Sequence, residues 1–163
     1  MKIQLGFIGL GQRGQVLLKN VLNNFPDVEV AALCDVYEDR IGICENLLRE
    51  KGRRAVAAYQ NYTDLLSDEK VNVVIISASW EAHIPMAIAS MKSGKITGLE
   101  VGGAYSIQDC WDLVRTYQLT KTPFMFLENC CYGKKELLAA NLIEHGVLGE
   151  IVYCHGAYFH DLR

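Results

Sequence analysis

The 163-residue sequence lacks any cluster of basic residues, and its formal net charge is −3. That argues against nucleic acid as the main partner, since phosphate binding needs lysine and arginine gathered on one face. No apolar run is long enough to cross a bilayer, so no membrane partner is expected. Met1 lies one residue before the first predicted strand, which leaves no room for a signal peptide. The expectation is a cytoplasmic protein, or one from which an export signal has been trimmed. Cys34, Cys44, Cys110, Cys130, Cys131 and Cys154 form no C-x-x-C pair and no disulfide framework. Most read as small buried hydrophobes in a reducing compartment. Cys154, His155 and His160 show no recognised ligand spacing, and no metal is expected. There is no internal repeat, low-complexity tract or flexible linker. With half its residues hydrophobic, the chain is long enough for one domain with a real core and too short for two full ones.

What is present is organised around residues 2–14. The apolar stretch Lys2-Ile3-Gln4-Leu5-Gly6-Phe7-Ile8 runs into Gly9-Leu10-Gly11-Gln12-Arg13-Gly14. Gly9 allows a sharp turn out of a strand, Gly11 lets a pyrophosphate approach the backbone, and Gly14 lets a helix pack close. Leu17, Leu18, Val21 and Leu22 then give that helix a buried stripe. Its N-terminus would present free N–H groups and a positive dipole to phosphate. A second apolar run, 28–34, ends at Asp35, 21 residues beyond Gly14. A carboxylate there can accept ribose hydroxyls and repel a 2′-phosphate, which favours NAD over NADP. Arg13 reads either as a cation over the cofactor phosphates or adenine, or as a solvated charge.

Further along, 38–51 reads as a helix and 55–57 as a short strand, with one short helix near 62–66. Residues 71–76 are β-branched throughout much of their length, as in a parallel strand buried on both faces. Ser77 to His83 reads as a ligand-facing loop, followed by a helix with Pro85 in its first turn and Gly94 at its end. A fifth strand, 96–99, leads to Glu100-Val101-Gly102-Gly103-Ala104. Ser106 with Asp109 predicts a capped helix whose Cys110, Leu113, Val114 and Tyr117 face the sheet. A sixth strand, 124–127, is followed by a helix to His145 with Gly146 as C-cap, and 149–160 reads as a last strand. The alternation predicts an α/β, Rossmann-type doubly wound parallel sheet over 1–147, with 148–163 as the first strand of a further α+β domain.

These motifs resemble the nucleotide-binding half of the glucose–fructose oxidoreductase / inositol dehydrogenase (Gfo/Idh/MocA) family. The likeness rests on the glycine fingerprint, on His83, and on Glu100-Val101-Gly102 where the family carries Glu-Lys-Pro. In typical members that lysine assists proton transfer at the oxidised hydroxyl; Val101 can neither donate nor accept a proton. Glu100-Val101-Gly102-Gly103-Ala104, Leu127-Glu128-Asn129-Cys130-Cys131-Tyr132-Gly133 and Gly156-Ala157-Tyr158-Phe159-His160-Asp161-Leu162-Arg163 resemble one branch, the NAD-dependent α-N-acetylgalactosaminidases and their glycosidase relatives. For those, the resemblance implies hydrolysis without net redox change: a ring hydroxyl is oxidised, the glycosidic oxygen eliminated, water added and the ketone reduced again. Such enzymes stand apart from the two-carboxylate glycosidases.

By this resemblance Gln12, Arg13, Asp35, Trp80, His83, Glu100, Val101 and Asn129 would contact NAD and Tyr158 the sugar, with Glu128 and His160 as weaker candidates on the sugar side. Trp80 also reads as a loop residue covering the core, His83 as a helix-start histidine bonded to backbone, and Tyr158 as a sheet-packing aromatic. The resemblance further implies a substrate domain beyond Arg163, so the sequence reads as an N-terminal fragment. Residues 149–163 would be an edge strand, either paired with a second copy or poorly ordered. Two other readings stay open, a sugar dehydrogenase domain and a non-catalytic nucleotide-binding module.

Overall fold

The computed structural model describes residues 2–157 and residue 159. Its contacts divide the chain into two units, Met1–Leu127 and Glu128–Arg163.

The first unit is one sheet wrapped on both sides by helices. Its strands are β1 (Gln4–Ile8), β2 (Glu29–Cys34), β3 (Ala57–Tyr59), β4 (Val73–Ile76), β5 (Ile96–Leu99) and β6 (Phe124–Phe126). They lie in the order β3-β2-β1-β4-β5-β6, and every pairing is parallel. The helices between them are α1 (Gln12–Asn24), α2 (Glu38–Glu50), α3 (Tyr62–Ser67), α4 (Trp80–Lys92) and α5 (Ile107–Thr120).

Side-chain alternation along each strand feeds two cores. Leu5, Phe7 and Leu33 join Leu18, Leu22, Ile41, Cys44 and Leu48 beneath α1 and α2. Ile8, Ala32, Cys34, Val74, Ile76 and Leu99 join Leu65, Ile84, Ala87, Met91 and Leu113 beneath α3, α4 and α5. Chain order reverses between β1 and β4, so the connections leaving these two central strands diverge and open a crevice at their carboxyl ends.

Four local expectations are corrected. The third strand is 57–59 rather than 55–57. Trp80 and His83 lie in the first turn of α4, not in a loop, which puts Pro85 deeper inside the helix. On α5 only Leu113, among the four residues expected to face the sheet, is buried; Val114, Tyr117 and Cys110 are exposed. The second buried position is Thr116, whose hydroxyl donates to the Asp112 carbonyl at 2.7 Å and so loses no hydrogen bond on burial. Finally, only Cys34 and Cys44 are buried among the six cysteines.

The second unit contains a 3₁₀ turn, Asn129–Tyr132, and α6 (Lys134–Glu144). His145 caps α6 and Gly146 follows with φ +66°, as expected of a helix stop. Residues 151–157 form no strand. The alternating pattern there suits a sheet, but a single strand has no backbone partner to pair with. No helix among the described residues is long and apolar enough to cross a membrane.

Candidate cofactor site

Each functional segment begins one residue past a strand, and the sheet's own hydrogen bonding fixes where. The Gly9 N–H donates to Cys34 O at 2.9 Å, Asp35 N–H to Tyr59 O at 3.2 Å, Ser77 N–H to Ile8 O at 2.8 Å and Glu100 N–H to Ile76 O at 2.9 Å. The site therefore sits on the rigid ladder, with only side chains and short turns projecting from it.

The glycine turn is locked from behind and open in front. Gly9 has φ +87°, and a side chain there would strike the Ala78 backbone. A methyl group on Gly14 would strike the Gly9 carbonyl oxygen, which also accepts a 2.8 Å hydrogen bond from the Ser77 hydroxyl. Gly11 differs: nothing lies closer to its Cβ position than the Arg40 guanidinium, at 3.8 Å. A ligand can thus reach the Gly11 backbone, while Gly9 and Gly14 serve internal packing. No side chain caps α1, and its first turn carries no acid, so the helix start keeps its positive end for an anion.

Asp35 is 6% exposed, and both its oxygens are engaged. Oδ2 accepts the Leu10 N–H at 2.6 Å and Oδ1 accepts the Tyr37 N–H at 3.0 Å. Arg40 approaches Oδ2 to 3.7 Å and lies 4.4 Å over the Tyr37 ring. Asp35 thus ties the glycine turn to the start of α2. These groups line a cavity of about 760 Å3 with Gly9, Gly11, Ser77, Asn61 and Met86, within the size range of small-molecule sites. Cys34 also lines it; burial, with the Asp35 charge second, pushes its thiol up to about 12. It is a wall, not a nucleophile.

Beyond the cavity the site becomes an open shelf. Arg13 donates from Nε to Glu100 Oε1 at 2.9 Å, and its Nη2 lies 2.8 Å from the same oxygen in an ion pair. Gly102 and Gly103 both have positive φ, and a methyl group on Gly102 would press on the Trp80 indole at 2.8 Å. The indole rests on bare backbone and is 61% exposed. His83 is buried at 2% exposure, with Nε2 3.0 Å from the Ala78 carbonyl and Nδ1 3.4 Å from that of Gly102. Its polar atoms hold the two loops and are not presented outward. Val101 is half-exposed beside them.

The first unit therefore brings together Gly9, Gly11, Gln12, Arg13, Gly14, Asp35, Trp80, His83, Glu100 and Val101. Glu128 and Asn129 belong to the second unit. Tyr158 and His160 lie outside the described residues. Sequence reasoning missed Arg40 and Tyr37, and placed Ser77 only as the first residue of the ligand-facing loop. An arginine one turn into the helix after Asp35 was a usable signal for the first; the hydroxyl bond from Ser77 to Gly9 had none.

A glycine turn that admits close backbone approach, an uncapped helix start and a buried acid at the second strand fit a dinucleotide. Residues 3–126 match the family described as an oxidoreductase family with an NAD-binding Rossmann fold. The chain belongs to that family. It is 39% identical over 168 residues to a glycosyl hydrolase family 109 protein of Stenotrophomonas maltophilia, covering 99% of this chain and 37% of that protein. It is 38% identical over 164 residues to an alpha-N-acetylgalactosaminidase of Bacteroides fragilis, covering 99% and 38%. The chain thus spans under two fifths of the length of either relative. The fold matches scyllo-inositol dehydrogenase from Lactobacillus casei, a structure with bound NAD(H) and scyllo-inositol. That match has TM-score 0.81 and 16% identity, and covers 92% of this chain and 43% of that one.

Proposed function

We propose that this chain is the cofactor domain of a longer NAD-dependent glycoside hydrolase acting on an α-N-acetylgalactosaminide or a related sugar. The observation that carries the reading is the 38% identity to an alpha-N-acetylgalactosaminidase across 99% of the chain. Val101 supports it: the side chain beside Glu100 on the shelf cannot exchange a proton, which suits a domain that leaves acid–base work to residues elsewhere. When bound, NAD supplies a hydride acceptor that later returns the hydride, so the overall reaction needs no added oxidant. The chain's own part is positional. Gly11 and the start of α1 receive the diphosphate, Asp35 and the cavity around Arg40 and Asn61 receive the adenosine, and Trp80, His83 and Val101 form the floor at the nicotinamide end.

Free thiols fit a reducing compartment, and the reading places the protein in the cytoplasm. Self-association through 149–160 belongs to the same proposal, and light scattering of the purified chain checks it.

The test is the full-length protein assayed on an aryl α-N-acetylgalactosaminide with no added NAD. Release of the aryl alcohol without accumulation of NADH is the expected outcome. Stoichiometric NADH from a free sugar, with no glycoside cleavage, would turn the reading to a dehydrogenase.

A further inference from the structure

Resting on the NAD reading above, we propose that Gln60 and Asn61 read the edge of the cofactor's base and so select adenine over hypoxanthine. Both residues line the cavity that receives the adenosine in the proposed site. The sheet fixes where they stand. They follow β3 directly, and Tyr59 pairs with Cys34 in the parallel register, so Gln60 leaves the sheet beside Asp35.

A side-chain amide offers a donor at one end and an acceptor at the other, and half a turn exchanges the two. Here the neighbours remove that choice. Gln60 Nε2 donates to Glu38 Oε1 at 2.7 Å. A carboxylate only accepts, so the nitrogen must face it, and Gln60 Oε1 is left as an acceptor. Asn61 is fixed the other way round. It is the N-cap of α3, and its Oδ1 accepts from the Thr63 N–H at 3.0 Å and from the Thr63 hydroxyl at 2.9 Å. A backbone N–H only donates, so the oxygen must face it, and Asn61 Nδ2 is left as a donor. Neither Gln60 Oε1 nor Asn61 Nδ2 has a partner among the described residues.

Two consecutive residues thus offer one acceptor and one donor to the same cavity. Adenine carries the complement, an N6 amino donor beside a ring-nitrogen acceptor. Hypoxanthine has an oxygen in place of that amino group and a proton on N1. Its oxygen would meet the Gln60 oxygen, acceptor against acceptor. Other walls of the cavity, among them Val36, Ala82 and Met86, are apolar and take either purine alike. Selection between the two therefore falls to the amide pair. Both amides are exposed, so water weakens the contrast. A preference of about tenfold is expected, near the low end of what an amide paired with adenine provides.

Calorimetric titration of ADP and of IDP into the 163-residue chain tests this, with thermal melts confirming that each variant folds. The two ligands share ribose and diphosphate, so the ratio of their affinities isolates the base. The wild-type chain is expected to bind ADP about tenfold more tightly than IDP. Asn61→Asp keeps the cap oxygen on Thr63 and replaces the free donor by an acceptor, while its added charge opposes both diphosphates equally. The ratio is expected to fall to about one or below. Gln60→Met keeps the length and removes the acceptor, and a ratio of about three is expected. Equal binding of ADP and IDP by the wild-type chain would overturn the base-reading role and leave the NAD reading standing. A tenfold preference that survives both substitutions would overturn it too, since backbone groups would then read the base. Binding of none of ADP, IDP and NAD would overturn the NAD reading and this proposal with it.

Discussion

Asp35 serves the fold before it serves any ligand. Its two oxygens close the N–H groups of Leu10 and Tyr37, so the carboxylate shapes the turn that a cofactor would meet. Asp35→Asn would turn an amide N–H₂ toward one of those donors and leave it unpaired. A cost of about 1–3 kcal/mol is expected in urea unfolding. The same carboxylate lines the cavity that receives the adenosine in the proposed site, so NAD should bind more tightly than NADP in parallel titrations; equal binding would remove Asp35 from cofactor choice. The neighbouring thiols give a pH signature. Burial, with the Asp35 charge second, raises Cys34 from 9.0 to about 12 and Cys44 from 9.0 to about 11. In the unfolded chain both ionise near 9. Their contribution to stability is therefore complete below pH 9 and is lost as pH rises toward 11 and 12. Urea midpoints should fall over that interval, and the fall should be shallower in Cys34→Ala. The folded chain should also leave Cys34 and Cys44 unlabelled by a maleimide at neutral pH, while Cys110, Cys130, Cys131 and Cys154, all exposed, react.

At the scale of elements, two glycines in successive helices should answer substitution oppositely. Gly14→Ala drives a methyl group into the Gly9 carbonyl, part of a turn that the Ser77 hydroxyl holds in place. The wall is backbone and cannot rotate away, so a loss of about 3 kcal/mol is expected. Gly42, inside α2, has nothing within 4 Å of its Cβ position. Gly42→Ala should gain about 0.5–1 kcal/mol from helix propensity alone. Denaturant melts of the two variants check both signs. Elements whose cause is local were legible from the sequence. The turn into α1 follows from its glycines, and α5 starts where the Ser106–Asp109 box predicts, with reciprocal bonds at 3.1 and 2.9 Å. What failed depended on neighbours. The inward face of α5 is set by its packing on α4 at the flank of the sheet, which narrows the buried stripe to Leu113 and Thr116. The strand expected over 149–160 needs a partner strand that periodicity cannot supply. The site divides the same way: glycines and Asp35 were readable as a motif, whereas the Arg13–Glu100 bridge joins residues that only the sheet order brings together.

For the molecule as a whole, the site is built unevenly. In the proposed reading the adenosine end is the walled cavity, supported by the ladder and by residues of the first unit alone. The nicotinamide end, in the same reading, is the shelf on which Trp80 stands 61% exposed and Val101 39% exposed. Binding and catalysis make different demands on such a surface. Diphosphate and adenosine can be gripped from one side, but hydride transfer to and from a sugar needs water excluded and the sugar held within reacting distance. The 163-residue chain should therefore bind NAD and ADP with similar affinity, because the nicotinamide half finds few walls. It should show no measurable cleavage of an aryl α-N-acetylgalactosaminide. Shortening the chain to end at Leu127 keeps the sheet, both cores and the cavity, and should preserve a cooperative melt and most of the ADP affinity. Turnover by the 163-residue chain at the rate of the full-length protein would mean that the shelf is sufficient for catalysis. Loss of ADP binding on truncation at Leu127 would mean that the second unit, through Glu128 or Asn129, contributes to the adenosine end as well.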